Sequence, residues 1–279
     1  MAIYLNDRFL KNDEALLHVS DLSMQRGFAV FDFFRTENGI PLFIADHLDR
    51  FYTSAAAMHL HIKQNKPELT NIILELIEKS GMARAGIRVM LTGGYSADSY
   101  LPAAPNLLIT CNPLNVLTDN DFEKGISVIS YEHQREMPHI KSINYQMAVW
   151  LQPFLKEKKA DDVLYFKNNI ITEFPRSNVF IVTNENKLAT PGRHILQGIT
   201  RKNVLSLAKE TMQVEECDIT TEDLVNAKEI FLTSTTKKIL PVLKVNEKII
   251  GDGKPGKTTI SLYQKFLELE ESLAHLVNL

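Results

Sequence analysis

Apolar and polar residues alternate from Ala2 to Leu10 around an Asn6-Asp7 pair, which predicts an opening hairpin. Phe28 to Thr36 is almost wholly aromatic or apolar and reads as a strand with one acid, Asp32, inside it. The spacing then turns helical. Ala45 to Met58 carries Asp46 near its start, and Pro67 to Lys79 has proline in its first turn and Gly81 just past its end. Strands at Ile87–Leu91 and Leu107–Cys111 enclose a loop, Gly93 to Pro102. The turn-forming run Asn112 to Asp121 marks a domain boundary. Beyond it, Gly125 to Tyr131 has the β-branched pattern of a buried strand, and Ile143 to Lys159 has helical period and length. Short strands follow at Val163–Lys167, Val179–Thr183, Gln213–Ile219 and Glu229–Thr233, with helices at about Thr200–Glu210 and Lys257–Leu276. The pattern predicts an α/β (α+β) protein in two domains: a smaller N-terminal α/β domain over 1–115, an interdomain loop at 116–122 and a larger C-terminal domain over 123–279.

Between the strand ending at Tyr131 and the helix from Ile143 lies Met137-Pro-His-Ile-Lys-Ser-Ile-Asn-Tyr-Gln146. It places Lys141 on a short polar connection, and loops held by a rigid scaffold are where reactive groups sit. A lysine whose surroundings lower its pKa attacks carbonyls and forms a Schiff base. A lone lysine is usually a solvated surface residue, so the case for Lys141 rests on what surrounds it.

The bulk numbers narrow the classes. In 279 residues, 44% are hydrophobic, 23% are charged and the net charge is −3, which fits a soluble globular protein without a basic footprint for nucleic acid. The first residues lack the layout of a signal peptide, and no apolar run approaches a membrane span. Cys111 and Cys217 make no disulfide framework and read as reduced thiols, which points to the cytoplasm. There is no HExxH, no Cys–His metal spacing and no GxSxG, and Gly93-Gly94 lacks the Lys-Ser/Thr of a phosphate loop. No metal is expected.

Five segments, in order, carry a resemblance: Asp46-His-Leu-Asp-Arg50, Lys141-Ser-Ile-Asn-Tyr145, Thr172-Glu-Phe-Pro-Arg-Ser-Asn-Val-Phe180, Leu196-Gln-Gly-Ile-Thr-Arg201 and Ser234-Thr-Thr-Lys-Lys-Ile-Leu-Pro-Val242. Together they resemble the fold-type IV pyridoxal 5′-phosphate (PLP) enzymes, the class IV aminotransferases. That family holds branched-chain aminotransferase, D-amino-acid aminotransferase and aminodeoxychorismate lyase. The resemblance implies a two-domain fold with PLP between the domains and Lys141 as its Schiff-base anchor and proton carrier. It implies Glu173 facing the pyridine nitrogen and Tyr145 holding the phenolic oxygen. Arg50, Ile199, Thr200 and Thr235 would bind the phosphate, and Ser177, Asn178, Leu196, Gly198 and Ser234 complete the cofactor-binding motifs. A homodimer is implied as well, with loops of one subunit completing the other's site. Independently of the resemblance, Gly198-Ile-Thr200 opens a predicted helix, whose N-terminal amides suit an anion.

The departures bear on substrate. Where typical D-amino-acid enzymes have Arg-x-His to hold the substrate carboxylate, this chain has Tyr95-Ser-Ala-Asp-Ser-Tyr100. Their strand tyrosine over the cofactor is Phe31 here. Arg35 matches an arginine of the branched-chain enzymes, and Gly86-Ile-Arg88 matches their Tyr-x-Arg only at Arg88. Arg26 and Arg176 resemble arginines of atypical D-amino-acid transaminases that lack Arg-x-His. Each of these four arginines is a candidate carboxylate clamp or a partner of some nearby Asp or Glu. The expectation is a transaminase moving an amino group between a D-amino acid and a 2-oxo acid. The alternatives are an L-branched-chain aminotransferase, an aminodeoxychorismate-type lyase and a binding protein that keeps the fold without turnover. No nucleic-acid or membrane partner is expected.

Overall fold

The computed structural model describes residues 2–114 and 117–275, which fall into two compact units. Among the described residues the first unit comprises 2–114, 140–144 and 272–275, and the second 117–139 and 145–271. The five residues 140–144, which carry Lys141, thus count with the first unit, whereas the sequence assigned them to the C-terminal domain.

The first unit runs β1 (Ala2–Leu5), β2 (Arg8–Lys11), α1 (Leu22–Arg26), β3 (Ala29–Glu37), β4 (Ile40–Pro41), α2 (Ile44–Ala57), α3 (Lys66–Ser80), β5 (Ala85–Thr92) and β6 (Leu107–Pro113). Asn6 and Asp7 both take positive φ, the conformation a two-residue hairpin turn needs between β1 and β2. The strands form one sheet in the order β2-β1-β6-β5-β3-β4. Asn65 and Glu68 cap α3 reciprocally, and Gly81 ends it in the left-handed region. Apolar faces of α2 and α3, with Leu48, Phe51, Leu69, Ile73 and Leu76, share a core with Val30, Phe34, Ile87, Val89 and Ile109 of the sheet. The short helix α1 is not among the elements that the sequence pattern predicts. It forms because Asp21 caps its N-terminus and Gly27 closes it at φ 64°.

The second unit runs α4 (Asp119–Lys124), β7 (Ile126–Glu132), α5 (Gln146–Trp150), α6 (Gln152–Lys158), β8 (Asp162–Lys167), β9 (Ile170–Ile171), β10 (Asn178–Val182), β11 (Leu188–Pro191), α7 (Ile199–Lys209), β12 (Val214–Cys217), α8 (Thr221–Asn226), β13 (Glu229–Ser234), β14 (Lys238–Val245), β15 (Lys248–Ile249) and most of α9 (Lys257–His275). Its nine-stranded sheet is ordered β12-β11-β10-β13-β14-β7-β8-β9, with β15 paired to β14. The pairs β11/β12, β14/β7 and β7/β8 are parallel and the rest antiparallel.

Two expectations change. The helix predicted over Ile143–Lys159 begins at Gln146 and divides into α5 and α6. Residues 141–143 cannot join it, because they run extended beside β3, with Val30 bridged to Ser142 and the Ile143 amide donating to Ala29. Pro153, in the first turn of α6, has no N–H to continue α5. The predicted interdomain loop 116–122 carries α4 from Asp119, capped by Thr118 and Asp121, while residues 115 and 116 lie outside the described residues, as does the final helix beyond 275. Among the described residues, no helix is long and apolar enough to cross a membrane.

Candidate active site

Chemistry-bearing residues gather at one place in each unit. In the first unit the centre is the strand β3. The Phe31 amide donates to the Lys141 carbonyl at 2.9 Å, and the Lys141 amide donates to the buried Ser54 hydroxyl at 3.2 Å. Lys141 is therefore pinned by its backbone on both sides and is half-buried. Its Nζ lies 4.7 Å from the centre of the Phe31 ring. The Arg88 guanidinium, from the neighbouring β5, lies 4.8 Å from the centre of the same ring. Gly86, two residues before it, leaves room for the ring of Phe33, which a Cβ there would force to shift.

Side chains alternate along a strand, so Asp32 points to the opposite face from Phe31 and meets α2. Its carboxylate is fully buried and accepts bonds from His47 Nδ1 at 2.7 Å, from Arg50 Nε and Nη2 at 2.8 Å each, and from the Phe33 amide at 2.8 Å. Burial acts to raise the Asp32 pKa, but Arg50 and then His47 outweigh it and hold the carboxyl well below the usual carboxylate range. Burial holds His47 below its ordinary value, against the pull of Asp32.

The other arginines of this unit differ. Arg35 is buried, with Glu37 at 3.4 Å. Arg26, exposed at the end of α1, donates to the Gln25 carbonyl at 2.9 Å.

In the second unit the centre is Glu173, just after β9 and 4% exposed. Arg135 Nε donates to its Oε1 at 2.8 Å, and the Leu196 amide donates to Oε2 at 2.9 Å. Arg135 Nη2 also donates to the Pro138 carbonyl at 2.7 Å, so the pair ties the lysine loop's first half to Glu173. Ser177 follows, just before β10, and Asn178 is the first residue of that strand. Asn178 Nδ2 donates to the Leu196 carbonyl at 2.8 Å, and its Oδ1 occupies the space where a Cβ on residue 198 would stand, which demands Gly198. Ile199 and Thr200 then open α7, whose N-cap Gly198 offers no side chain to the first amides. The buried hydroxyls of Ser177 and Thr233 have no hydrogen-bond partner among the described residues. Ser234 ends β13 and accepts the Lys237 amide at 3.1 Å, while Thr235 sits in the turn that Lys237 fastens to Asp162 at 2.8 Å. Tyr145 stands at the start of α5, half-buried, and Arg176 is exposed with no acidic partner among the described residues.

Sequence reasoning missed Arg135, His47, Thr233 and Lys237. Arg135 had a signal: a carboxylate buried inside a motif needs a cation, and the loop leading to Lys141 holds this one. The backbone amide of Leu196 is engaged by Glu173.

A buried carboxylate, helix-start amides, orphaned buried hydroxyls and a glycine with no room for Cβ form a donor set that suits a pyridine ring with a phosphate ester. The family model for amino-transferase class IV matches residues 29–245. A "Putative branched-chain-amino-acid aminotransferase" of Methanocaldococcus jannaschii is 30% identical over 278 residues, covering 96% of each chain. The D-alanine aminotransferase of Bacillus licheniformis is 28% identical over 265 residues, covering 93% of each. Among solved structures, the PLP-bound form of a hypothetical aminotransferase from Mycobacterium tuberculosis aligns with TM-score 0.85 at 20% identity, over 98% of this chain and 99% of that one. With most of its length inside that family model and a relative at 30% identity over nearly all of it, this chain belongs to the class IV aminotransferases, which use pyridoxal 5′-phosphate.

Proposed function

We propose that the chain takes the amino group of a D-amino acid and delivers it to a 2-oxo acid, with Lys141 moving the α-proton. The observation that carries this reading is an amine and a guanidinium on one apolar ring: Lys141 Nζ and Arg88 both lie against Phe31. An amino acid needs a base for its α-proton and a cation for its carboxylate, and Arg88 has no acidic partner among the described residues. When bound, PLP supplies the electron sink that makes the α-proton labile. Lys141 Nζ takes up and returns that proton. Glu173, fixed by Arg135 and the Leu196 amide, keeps a proton on the pyridine nitrogen. Arg50, the amides of Ile199 and Thr200 and the Thr235 hydroxyl bind the phosphate, with Ser177, Asn178, Gly198 and Ser234 shaping the surroundings. Tyr145 orients the phenolic oxygen.

The D hand draws its support from the D-alanine aminotransferase of Bacillus licheniformis and from Arg26 and Arg176, exposed cations that lack acidic partners among the described residues. A second reading keeps the chemistry and replaces the donor with an L-branched-chain amino acid. It is favoured by the 30% identical relative from Methanocaldococcus jannaschii and by Arg35 on the same strand as Phe31. A homodimer belongs to the proposal. Leu16, Val19, Met24, Tyr100 and Leu101 are exposed on two segments that the Leu22–Gly94 and Ser96–Ser20 backbone bonds hold together, an apolar surface a second copy would cover. A cytoplasmic location is supported by the two free thiols, Cys111 and Cys217.

The test is a two-donor assay on one preparation, D-alanine beside L-leucine, with 2-oxoglutarate as acceptor. Turnover of D-alanine supports the proposal. Turnover confined to L-leucine, L-isoleucine and L-valine transfers it to the second reading, and pyruvate release without an acceptor replaces transamination with a lyase reaction.

A further inference from the structure

We propose that Asp32, assisted by His47, is the positioning residue for the cofactor phosphate, acting through Arg50. The inference rests on the assignment of Arg50 to the phosphate made above.

Asp32 is the one acid in the apolar and aromatic run Ala29–Phe34 of β3, and it lies between Val30 and Phe34, both fully buried. His47 and Arg50 stand three residues apart on α2, which puts them on one face above it. The carboxylate takes the guanidinium by Nε and Nη2, one bond to each carboxylate oxygen, a paired contact that fixes the guanidinium plane as well as its place. The His47 bond to Oδ1 and the Phe33 amide then fix the carboxylate itself, so it cannot rotate with the arginine. The ring of His47 is held in turn by Phe34, 5.3 Å away centre to centre.

Stability alone does not account for the cluster. Buried ion pairs are often matched or bettered by well-packed apolar side chains of similar volume, so such a cluster in a core of Phe34, Phe51 and Ile87 is weak evidence for a stabilising role. Positioning accounts for it. A free arginine side chain has several torsions to freeze when it meets a phosphate, and in this site Asp32 has frozen them already. Preorganisation of this kind increases affinity by removing an ordering cost rather than by adding a contact. Arg50 is also the less buried partner, 12% exposed at the side chain against none for Asp32, so the clamp holds the guanidinium from its inner side.

The proposal predicts a loss confined to the phosphate. Wild-type apoprotein, Asp32→Asn, His47→Ala and Arg50→Ala would be titrated with PLP and, separately, with pyridoxal, which has the same aldehyde and ring but no phosphate. Binding would be followed by cofactor absorbance and by melting temperature. Asp32→Asn should weaken PLP about ten-fold, the size of one charge-assisted contact, and leave pyridoxal within about two-fold. His47→Ala should show the same selectivity with a smaller loss and serves as the second variant where Asp32→Asn fails to fold. In the Arg50→Ala background, Asp32→Asn should cost nothing further for PLP, because the two residues act as one unit. Equal losses for PLP and pyridoxal, unchanged PLP affinity in Asp32→Asn or His47→Ala, or additive losses with Arg50→Ala would overturn the role of Asp32. A wild-type protein that binds PLP no better than pyridoxal would overturn the assignment of Arg50 itself, and the proposal with it.

Discussion

The Phe31 amide donates to the Lys141 carbonyl at 2.9 Å, and the lysine's Nζ returns to within 4.7 Å of the centre of the Phe31 ring. One residue thus holds the lysine at both ends. The backbone bond fixes where the side chain starts, and the ring limits where it ends. Strand β3 is paired to β5 from Ala29 to Arg35, so Lys141 is held by a rigid element although it lies on a loop. Because the anchoring bonds are backbone bonds, Lys141→Ala should fold with a melting midpoint within about 2–4 °C of wild type and show no transamination. In wild type, borohydride should fix the cofactor to Lys141, as read by peptide mass; full turnover by the mutant would remove Lys141 from the mechanism.

Glu173 and Arg135 form a buried pair whose two members should fail differently. Glu173→Gln keeps the volume but gives up the charge that the proposed function sets against the pyridine nitrogen. PLP should still bind, while the rate of α-proton exchange from a deuterated donor falls on the order of 10²-fold. Arg135→Ala instead strands a carboxylate only 4% exposed. It should destabilise the apoprotein by about 3–5 kcal/mol, visible in urea melts without any cofactor present. A stable Arg135→Ala apoprotein would show that Glu173 does not depend on this partner.

How far the sequence could be read follows from the range over which each interaction acts. Elements whose causes are local were legible: the Asn6-Asp7 hairpin, α3 between Asn65 and Gly81, and Gly198 before α7. The five motifs also singled out Lys141 and Glu173 as candidates, a reading that uses only their neighbours in sequence. What was not legible depends on pairing across distance. Residues 141–143 have helical neighbours in sequence, yet they are drawn into extended backbone by β3, more than a hundred positions away. Arg135 and His47 likewise acquire meaning only when folding sets them against Glu173 and Asp32.

The buried histidine gives the stability a direction with pH. The pKa of His47 is lowered in the folded protein, chiefly by burial, from an unfolded value of about 6.5. Below that value the unfolded chain takes up a proton that the folded chain refuses, so stability falls as pH drops through about 6.5 toward the folded pKa. Asp32 acts in a separate window. Its folded pKa is depressed, so its contribution is present above about 3.9 and is lost only as pH falls below that. His47→Asn keeps a donor near Nδ1 but cannot titrate. Between pH 7 and 5 its melting midpoint should fall less steeply than that of wild type, by at most the equivalent of about 1.4 kcal/mol per pH unit for the one proton removed. Parallel profiles for the two proteins would show that His47 keeps its solution pKa.

The carboxylate clamp is the remaining choice, and the arginines are not equal candidates. Arg35 is buried, with Glu37 at 3.4 Å, so an incoming carboxylate would have to compete with an acid already in place. Arg88 lacks an acidic partner among the described residues, lies against the ring that Lys141 also touches, and is carried by a strand paired on both sides. Arg176 also lacks such a partner and follows Glu173 by three positions in a turn. A clamp on the α-carboxylate acts in both ground and transition states, so its loss should appear in KM with kcat little changed. Arg88→Ala should therefore raise KM for the amino donor and lower kcat/KM about ten- to a hundred-fold, the equivalent of roughly 1.5–3 kcal/mol. Arg35→Ala, by contrast, should chiefly lower the melting midpoint. Arg176→Ala should raise KM for a D-donor if Arg176 replaces the missing Arg-x-His, and should leave L-leucine turnover alone. Steady-state kinetics of the three variants with D-alanine and L-leucine separate these cases, and unchanged KM in Arg88→Ala with both donors would move the clamp to Arg176 or Arg26.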